Sequence, residues 1–176
     1  MRKRLKRHFE LVTRLSLAGA LIFGGTTRGL AADQPSFTGK YSSVDKKNSP
    51  DNEVTLDVAQ SADGIEVTET LQGKRTTNRF RLDGSEGDYV TPGGVRGRCH
   101  ARLKKNQLVL EWLATVQPDG AARPVRQHTR ERWQLSADSK TLTIQTDVDF
   151  PDFPSSVSAA VAGDTSGKRK YIRIGD

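Results

Sequence analysis

Cysteine, helical periodicity and long apolar runs are all scarce in this 176-residue chain. Each scarcity excludes something. Cys99 is the single cysteine, so no intramolecular disulfide can form. It reads as a small buried apolar side chain, with a reactive or intermolecular thiol as the alternative. The apolar run from Leu15 to Gly25 is shorter than the roughly 20 residues a spanning helix needs. No lipobox cysteine follows it, which argues against a lipid anchor. No Gly-x-Ser-x-Gly elbow, His-Glu-x-x-His helix or phosphate-cradling loop is present. Pro92-Gly93-Gly94-Val95-Arg96-Gly97 has glycines but no helix to follow them, and reads as a turn.

What is present begins with an address. Arg2, Lys3, Arg4, Lys6, Arg7 and Arg14 precede the apolar run, and small residues follow it. Gly29 with Ala31, or Leu30 with Ala32, stand where a signal peptidase reads. This is the three-part pattern of a secretory signal peptide over residues 1–32. The absence of an adjacent arginine pair favours the general secretory route over the twin-arginine one. The expectation is a periplasmic or secreted protein beginning near Ala32 or Asp33, with no transmembrane anchor after cleavage.

Removal of the leader changes the charge argument. The full chain has 28 Lys+Arg against 21 Asp+Glu; residues 1–32 hold seven of the bases and one acid, Glu10. Residues 33–176 therefore carry 21 bases and 20 acids, and specific nucleic-acid binding is not expected. That length suits one domain with a real core.

From Phe37 onward the hydrophobic pattern has a period of two. Val54, Leu56 and Val58 alternate with polar residues, as do Ile65, Val67, Glu69 and Leu71. So do Leu108, Leu110, Trp112, Ala114 and Val116, and then Leu142, Ile144, Thr146 and Val148. Each such segment reads as a strand with one buried face. Turn formers separate them: Asp63-Gly64, Gln72-Gly73, Asp83-Gly84, Lys105-Asn106, Pro118-Asp119-Gly120 and Asp138-Ser139. Strands are expected near 37–42, 53–60, 64–71, 74–82, 87–90, 95–103, 107–117, 123–135, 141–148 and 168–174. A meander of that many strands removes its sticky edges by closing. The fold class expected is all-β: a single antiparallel up-and-down barrel of about eight to ten strands over residues 33–176. No helix is expected after the leader, and Ser42–Asn52 and Phe150–Gly167 read as loops, the second a lid or disordered.

Phe37-Thr38-Gly39-Lys40-Tyr41 is similar to the Gly-x-Trp opening of lipocalins, with Tyr41 in the place of the Trp. The hairpin from Arg130 to Ile144, with Trp133 and Leu135 before the turn and Leu142 and Ile144 after it, resembles one found in small exported bacterial lipocalin-like domains of unknown function. Arg81-Leu82-Asp83-Gly84-Ser85-Glu86 looks like the mid-chain turn of the same domains. The resemblance implies a barrel that holds an apolar ligand, and it brings no catalytic residues.

Two strands carry cationic rows. Arg96, Arg98, His100 and Arg102 alternate with Val95, Gly97, Cys99, Ala101 and Leu103; Arg126, His128, Arg130 and Arg132 alternate with Val125, Gln127, Thr129, Glu131 and Trp133. If the strands are consecutive, Glu111 falls between the rows, a single acid among six Arg and two His. One reading is a solvated outer face whose arginine stems cover apolar surface. Another is an anion patch for an envelope component, since guanidinium forks suit phosphates and carboxylates. A third turns the arginines to the barrel mouth, where they hold a fatty-acid carboxylate while its chain lies on Trp112 and Leu110. Both anion readings would strengthen at mildly acidic pH through His100 and His128. The candidate ligand-binding residues are Arg98, His100, Arg102, Trp112, Arg126, His128 and Arg130. Their partner would be a small lipid or organic acid, or an anionic envelope component.

No cofactor is implied. Cys99 and His100 point to opposite faces of a strand, and two histidines fall short of a zinc shell. Asp147, Asp149 and Asp152 lack the glycine and closing Glu of a calcium loop. The function expected is an exported, non-enzymatic binding domain for a small amphipathic or anionic ligand. The alternative is an envelope structural or inhibitory protein that docks through the arginine face.

Overall fold

The computed structural model describes residues 34–43, 53–91, 93–117 and 122–175; the leader expected over 1–32 lies outside these residues, as does most of the loop before β2. Ten antiparallel strands follow one another: β1 (Gly39–Ser43), β2 (Val54–Gln60), β3 (Gly64–Leu71), β4 (Lys74–Arg81), β5 (Gly87–Val90), β6 (Arg96–Lys104), β7 (Gln107–Val116), β8 (Val125–Leu135), β9 (Thr141–Asp149) and β10 (Gly167–Arg173). Their bounds fall within two residues of those the alternation sets, because a period-two pattern and a tight turn define a hairpin jointly. Tight turns use left-handed residues where the chain reverses, Gln72-Gly73 and Lys105 among them.

The sheet order is β4-β3-β2-β1-β10-β9-β8-β7-β6-β5, so β1 pairs with β10 and the sheet curls into an all-β barrel. Its two end strands, β4 and β5, share no ladder. A side chain joins them instead: Asn78 Nδ2 donates to the Val90 carbonyl, and the Val90 N–H donates to Asn78 Oδ1, both at 2.8 Å. The barrel is thus nearly closed, with one amide spanning its seam.

Inward residues form one core that includes Tyr41, Leu56, Val58, Ile65, Phe80, Cys99, Leu110 and Trp133. Where β1 begins and β10 ends, the chain before β1 seals the barrel. Phe37 is fully buried and meets Trp133 edge-on at 6.5 Å, while its N–H donates to Gln60 Oε1 at 2.9 Å. Tyr41, in the Gly-x-Tyr opening, donates its hydroxyl to the Phe37 carbonyl at 2.9 Å. The Arg173 guanidinium sits 5.1 Å over the Tyr41 ring and donates to Tyr41 Oη and the Thr38 carbonyl, each at 2.9 Å. Burial pushes the Tyr41 phenol up despite the nearby Arg173 charge.

One sequence expectation is corrected at the opposite end. The stretch between β9 and β10 contains a helix, α1 (Ser155–Ala162), followed by a short 3-10 turn. It eluded the pattern because its buried positions are the small Ser158 and Ala162, while Val157 and Val161 stay exposed. Ser158 Oγ accepts the Phe150 N–H at 2.8 Å. Phe150, Phe153 and Ala162 then pack with Val116 and Val148 near the ends of β7 and β9 and with Val125 at the start of β8. Among the described residues no helix is long and apolar enough to cross a membrane.

Candidate functional site: a polar cavity inside the barrel

The cationic rows lie where alternation puts them, on the outer face. His100 stands opposite Glu111 on β7, and Glu111 opposite Arg130 on β8. Glu111 Oε1 accepts from Arg130 Nε at 2.6 Å and from Arg102 Nη2 at 3.3 Å. Burial pushes its carboxyl up, but the Arg130 hydrogen bond and the charges of Arg130 and Arg102 outweigh this and hold it below the usual range. Val109, the outward neighbour of Arg102 and Arg132, is buried, as expected if arginine stems cover it.

Glu111 is not the single acid of this face, which corrects the sequence reading. β5 and β9 flank the two rows and bring carboxylates that alternation within β6 to β8 could not reveal. Arg98 bonds Glu86 and Asp88, at 2.5 Å each. Arg132 bonds Asp147 at 2.5 Å, and His128 Nδ1 lies 2.9 Å from Asp149. Arg126 grips Asp152 through Nη2 at 2.7 Å and Nε at 3.0 Å, and these bonds depress the Asp152 carboxyl. His100 Nδ1 is 3.0 Å from the Gly84 carbonyl. Five of the six arginines and His128 thus engage six carboxylates, and the aspartates considered for calcium are held by Arg126, His128 and Arg132. Little free positive charge remains for an anion.

Trp112 alone among the sequence-selected residues points inside. It stacks on Tyr89 with ring centroids 4.6 Å apart. Both line an internal cavity of about 70 Å³, with Leu110, Phe80, Trp133 and Tyr171. The structure therefore separates Trp112 from Arg98, His100, Arg102, Arg126, His128 and Arg130, and the arginine rows do not line this space. Cys99, fully buried nearby on β6, has its thiol pushed up by burial.

The cavity wall also holds acids. Glu69 from β3, Glu131 from β8 and Arg169 from β10 line it with Asn78. Alternation turns Glu69 inward with Ile65 and Val67, and Glu131 inward with Thr129 and Trp133. Glu131 Oε2 accepts from Trp133 Nε1 at 2.8 Å, and Oε1 from Thr146 Oγ1 at 3.4 Å. Enclosure raises its pKa to about 7, the Glu69 charge adding to the effect and the Trp133 bond opposing it. Burial pushes Glu69 up too, opposed by Arg169. The two phenols respond the same way: Tyr89 is raised by burial and by both carboxylates, and Tyr171 is pushed up to about 12 mainly by burial. Sequence reasoning missed these residues as a site. The inward parity of Glu69 and Glu131 was visible, but only barrel closure brings β3, β8 and β10 around one space.

A second hollow, an open groove of about 760 Å³, runs outside the β4–β5 seam. Of its four acids, Glu66, Glu86 and Asp88 are engaged by Arg79 and Arg98, and the fourth is Asp63. Among the described residues no group of three or more His, Cys, Asp or Glu could hold a metal ion.

No family model matches the chain, and no curated protein matches its sequence. Solved structures do resemble it. One is described as the REP1-NXSQ fatty acid transporter: 12% identity, TM-score 0.52, covering 79% of this chain and 96% of that one. Another is fatty-acid-binding protein 1 of Echinococcus granulosus, at 14% identity and TM-score 0.51, covering 79% and 98%. A third is apo lipid binding protein 8 of Caenorhabditis elegans, at 9% identity and TM-score 0.53, covering 78% and 95%. At these identities the likeness shows the fold: a barrel of the fatty-acid-binding and lipocalin type.

Proposed function

We propose that the chain is exported with loss of residues 1–32, and that residues 33–176 act in the periplasm or outside the cell as a non-enzymatic binder of a small amphipathic ligand. The observation that carries this reading is the small cavity in the barrel where aromatic walls and the polar side chains Glu69, Asn78, Glu131 and Arg169 converge, the usual composition of a ligand site. Its about 70 Å³ is well below the several hundred cubic ångströms of a typical site, so it suits a head group rather than a whole chain. The named fold neighbours are fatty-acid and lipid binders, which supports the same class of function. Paired arginines on the outer face weigh against the anionic envelope partner.

Native mass spectrometry of the protein purified from its exporting host tests this. The expected result is a mature mass starting near Ala32 or Asp33, with a recurrent small molecule released on denaturation. An uncleaved N-terminus would overturn the export claim. A ligand-free mass together with no tryptophan fluorescence response to amphipathic probes would overturn the binding claim.

A further inference from the structure

Two inward carboxylates, Glu69 and Glu131, share the cavity with one cationic side chain, Arg169. Arg169 belongs to an exposed position of β10; its charge acts on both carboxylates, but among the described residues no ion pair within 4.0 Å joins it to either. Both acids are half-buried, and two like charges facing one space without a close partner are costly. A second feature points independently to an occupant. Tyr89 is 8% exposed, lines the cavity and makes no hydrogen bond through its hydroxyl among the described residues. It is near enough to both carboxylates for their charges to act on it. Its ring forms part of the cavity wall, and its hydroxyl keeps its hydrogen-bonding capacity for a polar group that enters there.

Resting on the reading above, we propose that the cavity recognises the ligand's head group as an organic cation, a protonated amine, rather than as a carboxylate. An ammonium donates to Glu131, Glu69 and the Tyr89 oxygen at once, and it is attracted to the ring walls of Trp112, Tyr89 and Tyr171. A carboxylate would face two acids and gain only Arg169, whose charge already acts on Glu69, Glu131 and Tyr171. A metal ion is the poorer fit, because two carboxylates and no third His, Cys, Asp or Glu fall short of its shell. The groups that set the pH response are Glu69 on β3, Tyr89 on β5, Glu131 on β8, and Arg169 and Tyr171 on β10. Amine binding should therefore strengthen as pH rises through 7 and Glu131 ionises.

Both tryptophans of the chain, Trp112 and Trp133, line the cavity, so intrinsic fluorescence reports on it directly. The experiment titrates residues 33–176, expressed through the export route, with hexylamine, hexanoate and hexanol at pH 6 and pH 8. The expected result is hexylamine binding at least tenfold tighter than hexanoate, tighter at pH 8, and weakened about tenfold by Glu131→Gln or Glu69→Gln. Glu131→Gln removes a burial-strained charge and keeps the shape, so it remains folded. Hexanoate or hexanol binding as well as hexylamine would overturn the cation assignment while leaving the binder reading in place. Failure of all three to bind would overturn both.

Discussion

Glu131 and Trp133 stand two residues apart on the inward face of β8, and the Trp133 indole N–H donates to the Glu131 carboxylate at 2.8 Å. That bond and a longer one from Thr146 Oγ1 are little compensation for an ionised carboxylate drawn from water, and burial raises its pKa to about 7. The polar interior thus costs stability at neutral pH, as binding sites often do.

That cost has a sign. The folded pKa of Glu131 lies above its unfolded value, so its contribution is fully present below about pH 4.5 and is lost as pH rises through 7. The loss amounts to about 3 kcal/mol at most, from 1.36 kcal/mol per unit. Urea denaturation between pH 4 and 8 should show this decline, and Glu131→Gln should flatten it and exceed the parent at pH 8. A parent whose stability rises from pH 5 to pH 8 as steeply as the variant's would contradict the burial of an ionisable Glu131.

Arg173→Ala removes the cation over Tyr41 and donors to Tyr41 Oη, the Thr38 carbonyl and the Ser139 carbonyl. Hydrogen bonds from a charged donor are worth about 1.5–3 kcal/mol each at most, and partly exposed ones less. A total loss of about 2–4 kcal/mol is expected on that basis, read from the urea midpoint. A change under about 0.5 kcal/mol, the ordinary surface range, would show that the end lock is not structural.

Asn78→Ala should open the β4–β5 seam, since one side chain there replaces a ladder. Amide hydrogen exchange at Val90 should accelerate by at least tenfold, while exchange in β7 and β8 holds. Uniform acceleration across the sheet would instead indicate global destabilisation.

The alternation of apolar residues made the ten strands legible, and with them the outward turn of the arginine rows and the place of Glu111. What it could not carry was proximity between strands far apart in sequence. Asp88 from β5 and Glu86 just before it reach Arg98, Asp147 reaches Arg132 from β9, and Glu69 reaches the space beside Glu131 only when β1 pairs with β10. α1 was illegible for a different reason: Ser158 and Ala162 bury too little apolar surface to mark a helical stripe.

Cys99 offers a simple check on the core. It is 1% exposed, its thiol is pushed up by burial, and Sγ lies 3.5 Å from the Asp88 carbonyl. A thiol reagent should label it only in denaturant. Rapid labelling of the native protein would revive the reactive-thiol reading.

The most direct test of where the ligand goes is two-dimensional 1H–15N NMR of residues 33–176, titrated with hexylamine or with the molecule recovered from the host. The interior site predicts shifts at the indole N–H signals of Trp112 and Trp133, with the Nε–H signals of Arg98 and Arg130 unmoved. Shifts confined to the arginine signals, with both indoles silent, would contradict it and place binding on the outer face.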